Sequence, residues 1–417
     1  MTDAVAAIPE EAAPVPLLEP KEGIPPVVVD EQALADTVAA FAAGTGPVAV
    51  DAERASGYRY GQRAYLIQLR RAGAGSALID PIACPDLSAL GAALADAEWV
   101  VHAATQDLPC LAEVGMRPQR LFDTELAGRI AGFARVGLGA MTESVLGLSL
   151  AKEHSAVDWS TRPLPEPWLR YAALDVEVLV ELRDALEQEL DAQGKLAWAL
   201  EEFAAIAAAP PRPAQRTDPW RRTSQLHKIR RRRQLAVVRE LWLARDKMAQ
   251  ERDVSPGRVL SDAAIVNAAL AMPLNAAALQ AVQGFGPRVH RRQLDQWLAA
   301  VQRGREVPEN QLPASAAPHD GPPPPRAWAE KDPVAAARLS GARSAVTELA
   351  ERHHLPAENL ITPDHVRRVS WEPPADADAE GIAAALRRLG ARQWQVDLVA
   401  PALEAAFAAA AATAAQG

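Results

Sequence analysis

Apolar and polar positions change their period several times along this chain. After an acidic, proline-broken start, the segment DEQALADTVAAFAAG spaces its apolar residues at helical intervals and stops at Gly44. Short apolar runs follow, PVAVDAE, AYLIQLRR, SALIDP and EWVVHA, separated by Gly, Pro or Asp as strands are. From Asp107 the spacing is helical again, through QDLPCLAEVG, TELAGRIAG, GLGAMTESVLG and a long run from Pro167 to Ala209. Strands first and helices after, with one strand-to-helix crossover between them, predict a mixed α/β layered domain.

Two proline-rich stretches, AAAPPRPAQRTDP and VPENQLPASAAPHDGPPPPRAWAEKDP, favour extended backbone and read as linkers. The segments between and beyond them are helical, and they weakly repeat at an offset of 100 residues. Glu251-Arg252 recurs as Glu351-Arg352, Pro256 as Pro356 and Leu260 as Leu360, each in a helix, a short proline turn and a second helix. The expected division is a disordered tail over 1–27, an α/β domain over 28–207, a linker over 208–217, a helical domain over 218–304, a linker over 305–333, a second helical domain over 334–411 and a tail over 412–417.

Composition changes this picture in two places. Two cysteines, Cys84 and Cys110, in 417 residues exclude a disulfide framework and a Cys-built zinc site; as core residues they fit a reducing cytoplasm. The start lacks the basic and apolar regions of a signal peptide, and prolines or charges interrupt every apolar stretch before the roughly 20 residues that cross a bilayer. A cytoplasmic protein without a membrane partner is expected. The net charge of −9 hides an asymmetry. Residues 1–211 hold 15 Lys and Arg against 31 Asp and Glu, residues 212–305 hold 19 against 7, and residues 306–417 hold 10 against 15. A middle segment at +12 inside an acidic chain points to a polyanion as partner.

Candidate chemistry lies in the acidic part. Asp51 and Glu53 are two apart on a strand and share a face. Asp107 follows the strand run at a helix start, where a carboxylate is favoured. Tyr171 and Asp175, four apart on a helical run, share another face. Carboxylates that converge in this way suit hard cations such as Mg²⁺ or Mn²⁺, and two such ions can activate a water and stabilise a leaving oxygen in phosphodiester cleavage.

The blocks VDAE, HAATQDLPCL, FDTELAGRIAG and DWSTRPLPEPWLRYAALDVEVL resemble the successive exonuclease motifs of the ribonuclease D family, a DEDD-type 3′–5′ exonuclease family of the tyrosine variety. The resemblance covers about residues 28 to 200. It implies a ribonuclease H-like α/β exonuclease domain, with Asp51, Glu53, Asp107 and Asp175 as ligands of two divalent cations and Tyr171 orienting the nucleophilic water. Ala52 stands where the family commonly has Thr; on a strand it points to the opposite face, so the ligands remain. The basic segment from Asp218 to about Gly304, with RELWLARDKMAQERDVSPGRVLSDAAIVNAA and GFGPRVHRR, resembles the HRDC domain that follows the exonuclease in this family. Residues 334–411 look like a second HRDC-like all-α domain.

Several residues carry two readings. Trp159 and Arg162 either stack on a base and hold a phosphate or fix the loop that leads into the catalytic helix. Arg230, Arg231, Arg232 and Arg233 either contact phosphate or form a solvated face. GFGPR offers backbone N–H groups beside Arg288 to a phosphate, or is a tight turn. His102 is read as satisfied by local hydrogen bonds, His154 as a loop residue, and Asp123 as the cap of the helix starting near Thr124. The expected function is a metal-dependent 3′–5′ exoribonuclease that trims RNA 3′ ends such as those of tRNA precursors and releases nucleoside 5′-monophosphates. It is expected to act as a monomer without organic cofactor. The alternatives are a DNA exonuclease of repair and a non-catalytic nucleic-acid-binding adaptor.

Overall fold

The computed structural model describes residues 13–150, 154, 156–210, 217–285, 293–316 and 321–414. The first domain runs β1 (Val15–Leu17), β2 (Val27–Val28), α1 (Glu31–Ala43), β3 (Thr45–Arg54), β4 (Ala64–Ala72), β5 (Gly75–Ile79), α2 (Ser88–Ala93), β6 (Glu98–Val101), α3 (Leu108–Glu113), β7 (Arg120–Asp123), α4 (Thr124–Ala131), α5 (Leu138–Met141), β8 (Leu148–Leu150), α6 (Glu166–Glu177), α7 (Leu179–Ala192) and α8 (Leu196–Ala208). Asp30 caps α1 by accepting from the Ala33 N–H, and Gly44 closes it. The four strands expected from apolar runs are β3 to β6; β7, RLFD, has only two apolar residues between Arg120 and Asp123 and does not stand out by pattern.

Six of these strands form one mixed sheet in the order β2, β5, β4, β3, β6, β7. The hairpins β3–β4 and β4–β5 are antiparallel, and β2–β5, β3–β6 and β6–β7 are parallel. The central strand β3 alternates strictly. Val48, Val50 and Ala52 enter the main core with Phe41, Leu90, Leu111, Ile130 and Leu186, while Ala49 faces Val176 of α6 and Leu179 of α7 on the other side. Period two then places Asp51 and Glu53 on the α6 side.

The expected disordered tail over 1–27 is overturned from Val15 onward. Val15–Leu17 pairs in parallel with Leu148–Leu150, because β8 offers unpaired N–H and C=O groups to an apolar segment between prolines. Residues 1–12 lie outside the described residues.

The basic module runs α9 (Arg232–Arg252), α10 (Pro256–Val259), α11 (Asp262–Ala271), α12 (Ala276–Gln280) and α13 (Leu294–Glu306). The C-terminal module runs α14 (Trp328–Lys331), α15 (Pro333–Arg352), α16 (Ala357–Leu360), α17 (Pro363–Trp371), α18 (Ala379–Arg388) and α19 (Gln393–Ala414). The offset of 100 residues extends through three elements, with α9, α10 and α11 matched by α15, α16 and α17. Leu260 and Leu360 are both fully buried in their own cores. The segment expected as a free linker over 305–333 is docked at both ends. Leu312 is buried, the Arg232 guanidinium donates to the carbonyls of Leu312 and Pro313, and Trp328 lies in the C-terminal core.

By length and composition α19 could cross a membrane, although, as expected, a proline and charges interrupt it: Asp397, Pro401 and Glu404. The helix continues through Pro401. Its apolar residues have a use here, since Trp394, Val396, Val399, Leu403 and Phe407 form the centre of the C-terminal core. The module docks on α8, where Trp198 stacks on Trp394 with ring centroids 5.0 Å apart and planes 11° from parallel. Glu202 accepts from the Trp394 indole N–H at 3.1 Å.

Candidate metal centre

Strand and helix periodicity together build the site. Asp51 and Glu53 leave β3 on the α6 side, and α6, which packs across β3, β4 and β5, brings Tyr171 and Asp175 down on them. Carboxylate oxygens of Asp51, Glu53 and Asp175 lie within 4.8 Å of one another. A cavity of about 390 Å³ opens over them, walled also by Asp107, Tyr171 and Leu138. The Tyr171 hydroxyl lies beside the Asp175 carboxylate.

Asp107 comes from the other side of β3. It follows a turn in which Ala103 takes a left-handed conformation, φ 59°, which costs an L-residue roughly 1 kcal/mol or more. Asp123 holds that turn by accepting from the Ala103 and Ala104 N–H groups at 3.1 and 2.8 Å. The same carboxylate caps α4 through Glu125 and Leu126, as the sequence leads one to expect. Asp107 stands apart from the tight trio and pairs with Arg54, Nη2 to Oδ1 3.2 Å.

The electrostatics of the trio favour a proton or a cation among the carboxylates. Burial, then Asp51, Asp175 and Asp107, push Glu53 up to about 10. Burial followed by Asp51 raises Asp107 to about 8, against the pull of Arg54. Asp51 is raised chiefly by burial, Asp175 well above its ordinary value by burial and Asp51, and the Tyr171 phenol by burial and Asp175. Carboxylates this close and this buried cannot all be charged without a positive partner. An all-oxygen donor set fits a hard divalent ion and not a thiolate or imidazole metal.

The other candidate residues divide sharply. Trp159 has no exposed surface and packs with Leu66, Leu78 and Ala172, so it does not stack on a base. Arg162 is consumed inside the fold. It holds Asp80 with two prongs, Nε to Oδ2 2.6 Å and Nη2 to Oδ1 2.8 Å, and donates to the carbonyls of Trp159 and Tyr65. Both therefore fix the loop before α6. Arg233 donates to the carbonyls of Arg305 and Val307 and pairs with Glu309, so with Arg232 it anchors the linker and does not reach for phosphate. Arg230 and Arg231 stay exposed. Arg288 lies outside the described residues. His102 is bonded to the Thr124 hydroxyl at 2.9 Å and pushed down to about 4 by burial, so it stays neutral. His154 sits edge-on to Tyr171 with centroids 6.3 Å apart.

Sequence reasoning missed two features. Arg54, not among the candidate residues, lines the cavity. Besides Asp107 it bonds the Gln106 carbonyl at 2.8 Å. The loop after it also ties the basic module to the site's rim. Tyr60 donates to Asp246 at 3.2 Å, the Ser255 N–H to the Tyr58 carbonyl at 3.0 Å, and Arg258 to the Gly57 carbonyl at 2.8 Å. Arg59 of the same loop donates to Ser160 beside Trp159 at 2.8 Å.

Three family models match this chain: 3′–5′ exonuclease over residues 26–191, HRDC domain over 234–301, and 3′ to 5′ exonuclease C-terminal domain over 321–407. The chain is 31% identical to ribonuclease D of Granulibacter bethesdensis over 313 residues, covering 73% of this chain and 75% of that relative. It is 30% identical to ribonuclease D of Escherichia coli over 345 residues, covering 81% and 87%. Among solved structures, a protein from Bifidobacterium adolescentis superposes with a TM-score of 0.85 at 38% identity, covering 95% of this chain and 100% of that one. Escherichia coli RNase D, an exoribonuclease involved in structured RNA processing, superposes with a TM-score of 0.68 at 28% identity, covering 92% and 98%.

Proposed function

The chain belongs to the ribonuclease D family and is a 3′–5′ exoribonuclease, and from that premise we propose how its residues divide the work. Asp51, Glu53, Asp107 and Asp175 hold two divalent cations, Mg²⁺ or Mn²⁺. Bound there, the ions supply activation of the attacking water and stabilisation of the leaving oxygen. Tyr171, one turn before Asp175, orients that water. Asp123 and Arg54 keep Asp107 in place. Each cycle releases one nucleoside 5′-monophosphate from a single-stranded 3′ end of structured RNA such as a tRNA precursor. Arg230 and Arg231 on the basic module hold the backbone of the same RNA.

The observation that carries this reading is the trio Asp51, Glu53 and Asp175, whose oxygens lie within 4.8 Å of one another and whose carboxyls stay raised in spite of the nearby Arg54. The setting we assign is cytoplasmic, supported by two buried free thiols. The working form is a monomer, supported by three cores that each close within the one chain.

The test is the full chain with 5′-end-labelled RNA or DNA oligonucleotides in Mg²⁺, Mn²⁺ or chelator. A metal-dependent ladder of single-nucleotide steps on RNA is expected. Preference for DNA would make it a DNA exonuclease, and binding without cleavage an adaptor.

A further inference from the structure

Strand β4 presents Leu66, Gln68 and Arg70 to α6, because each lies directly opposite a residue of β3 that faces that helix: Glu53, Asp51 and Ala49. Leu66 is in an apolar cluster with Ala172 and Ala173, and Arg70 is paired with Glu177 at 3.3 Å. Gln68 differs from both. It has no exposed surface, and among the described residues neither its Nε2 nor its Oε1 has a hydrogen-bond partner. Leaving a buried amide unmatched is destabilising, and an apolar side chain of similar size would avoid the loss. Other buried polar atoms on this side, the Trp159 Nε1 and the Glu177 carboxylate oxygens, also lack a hydrogen-bond partner among the described residues, but Gln68 is the one directly opposite Asp51.

That place is beside the metal centre. Directly opposed residues of an antiparallel pair have Cβ atoms about 4.5–5.5 Å apart on one face, and Gln68 is the residue opposed to Asp51. Above it lies α6, the helix that brings Asp175. A carboxamide N–H in that position is a donor to a carboxylate that carries its charge, which is the state a bound cation imposes.

We propose that Gln68 is a positioning residue of the metal centre, whose buried carboxamide donates a hydrogen bond to the Asp51 carboxylate in the cation-loaded state and fixes the rotamer through which Asp51 ligates. The inference rests on the assignment of Asp51 and Asp175 as ligands. Partners that orient metal ligands in this way change affinity by about 10- to 100-fold when removed.

The experiment compares the full chain with Gln68→Leu and Asp175→Asn, measuring Mn²⁺ affinity by calorimetry and melting temperature in chelator. Gln68→Leu is expected to weaken Mn²⁺ binding by about 10- to 100-fold while the cation-free melting temperature rises by about 2–4 °C, because the unmatched amide is gone. The Mn²⁺ concentration for half-maximal cleavage should rise with the dissociation constant, and the rate at saturation should change less. A merely structural role would lower the melting temperature and leave Mn²⁺ affinity unchanged, which would overturn the proposal. If Gln68→Leu fails to fold, the same measurements on Gln68→Met, which keeps the unbranched chain, decide. Loss of binding in Asp175→Asn with wild-type binding in Gln68→Leu removes this inference alone; wild-type binding in Asp175→Asn removes the ligand assignment beneath it.

Discussion

At the end of β5, Asp80 receives both prongs of Arg162 and the N–H of Ile82, and its carboxyl is held below the ordinary range. Two strands away in the same sheet, β3 ends in Asp51 and Glu53, whose carboxyls are driven upward beside Asp175. Both places remove carboxylates from water. One brings its cation from 82 residues away and holds it with two prongs, and at the other Arg54 offsets the repulsion only in part, so that the carboxyls stay raised. On the proposed reading, the degree of compensation within the chain separates a structural acid from a metal-binding one, where the residue type alone does not.

The largest effect should come from breaking the uncompensated side. Asp175→Asn is expected to lower the cleavage rate by about 10²-fold or more, while the melting temperature in chelator stays the same or rises because a repelled carboxylate is gone. Near-normal activity would remove the distinction. On the compensated side, Arg162→Met should destabilise the fold by about 2 kcal/mol, less than for a fully buried pair because the Arg162 side chain is 33% exposed. Cleavage per folded molecule should persist. A stable variant that no longer binds RNA would return Arg162 to the role of nucleotide contact.

The two sides should also answer pH in opposite senses. Glu53 titrates near 10 in the folded chain against an ordinary 4.5. Between those values the cation-free fold holds a proton that the unfolded chain releases, so stability falls as pH rises. Asp80 is lowered from 3.8, so its contribution is complete above that value and is lost as pH falls through its folded-state value. The melting temperature in chelator should therefore decline from about pH 5 to pH 9, and saturating Mg²⁺ should flatten the decline. A flat profile in chelator would sink the electrostatic argument.

The smallest effect extends the comparison to arginines. Arg232 and Arg233 donate to carbonyls at and beyond the end of α13, whereas Arg230 and Arg231 are exposed and make no such bond among the described residues. Replacing the exposed pair with Ala should reduce the salt slope of RNA binding by roughly 1.4, about 0.7 per phosphate contact on a single strand. Replacing the carbonyl-bound pair should lower stability instead. Equal salt slopes in the two double variants would erase the division.

What the sequence makes legible follows from the range of each interaction. Asp51 with Glu53, and Tyr171 with Asp175, are paired by backbone periods of two and four, so local spacing is enough to group them. Asp107 joins the set through motif resemblance, because spacing alone cannot show that β6 lies beside β3. Arg54 was missed for a local reason. Strict alternation turns it away from Glu53, but a register irregularity between Glu53 and Arg54 re-aims the side chain toward Asp107. Trp159 and Arg162 keep two readings in the sequence, and the start of the chain reads as tail, because their partners are distant. Only Asp80 beside Arg162 selects the loop-fixing reading, and VPL reads as tail until Leu148–Leu150 is seen beside it.

The stacked pair Trp198 and Trp394 gives the joint between the nuclease domain and the C-terminal module an optical signature of its own. Two indoles held 5.0 Å apart and nearly parallel couple their electronic transitions, and one belongs to each side of the joint. Near-ultraviolet circular dichroism and intrinsic fluorescence can therefore follow release of the module in the unlabelled chain. Trp198→Phe, which keeps an aromatic ring but removes the indole couple, provides the blank.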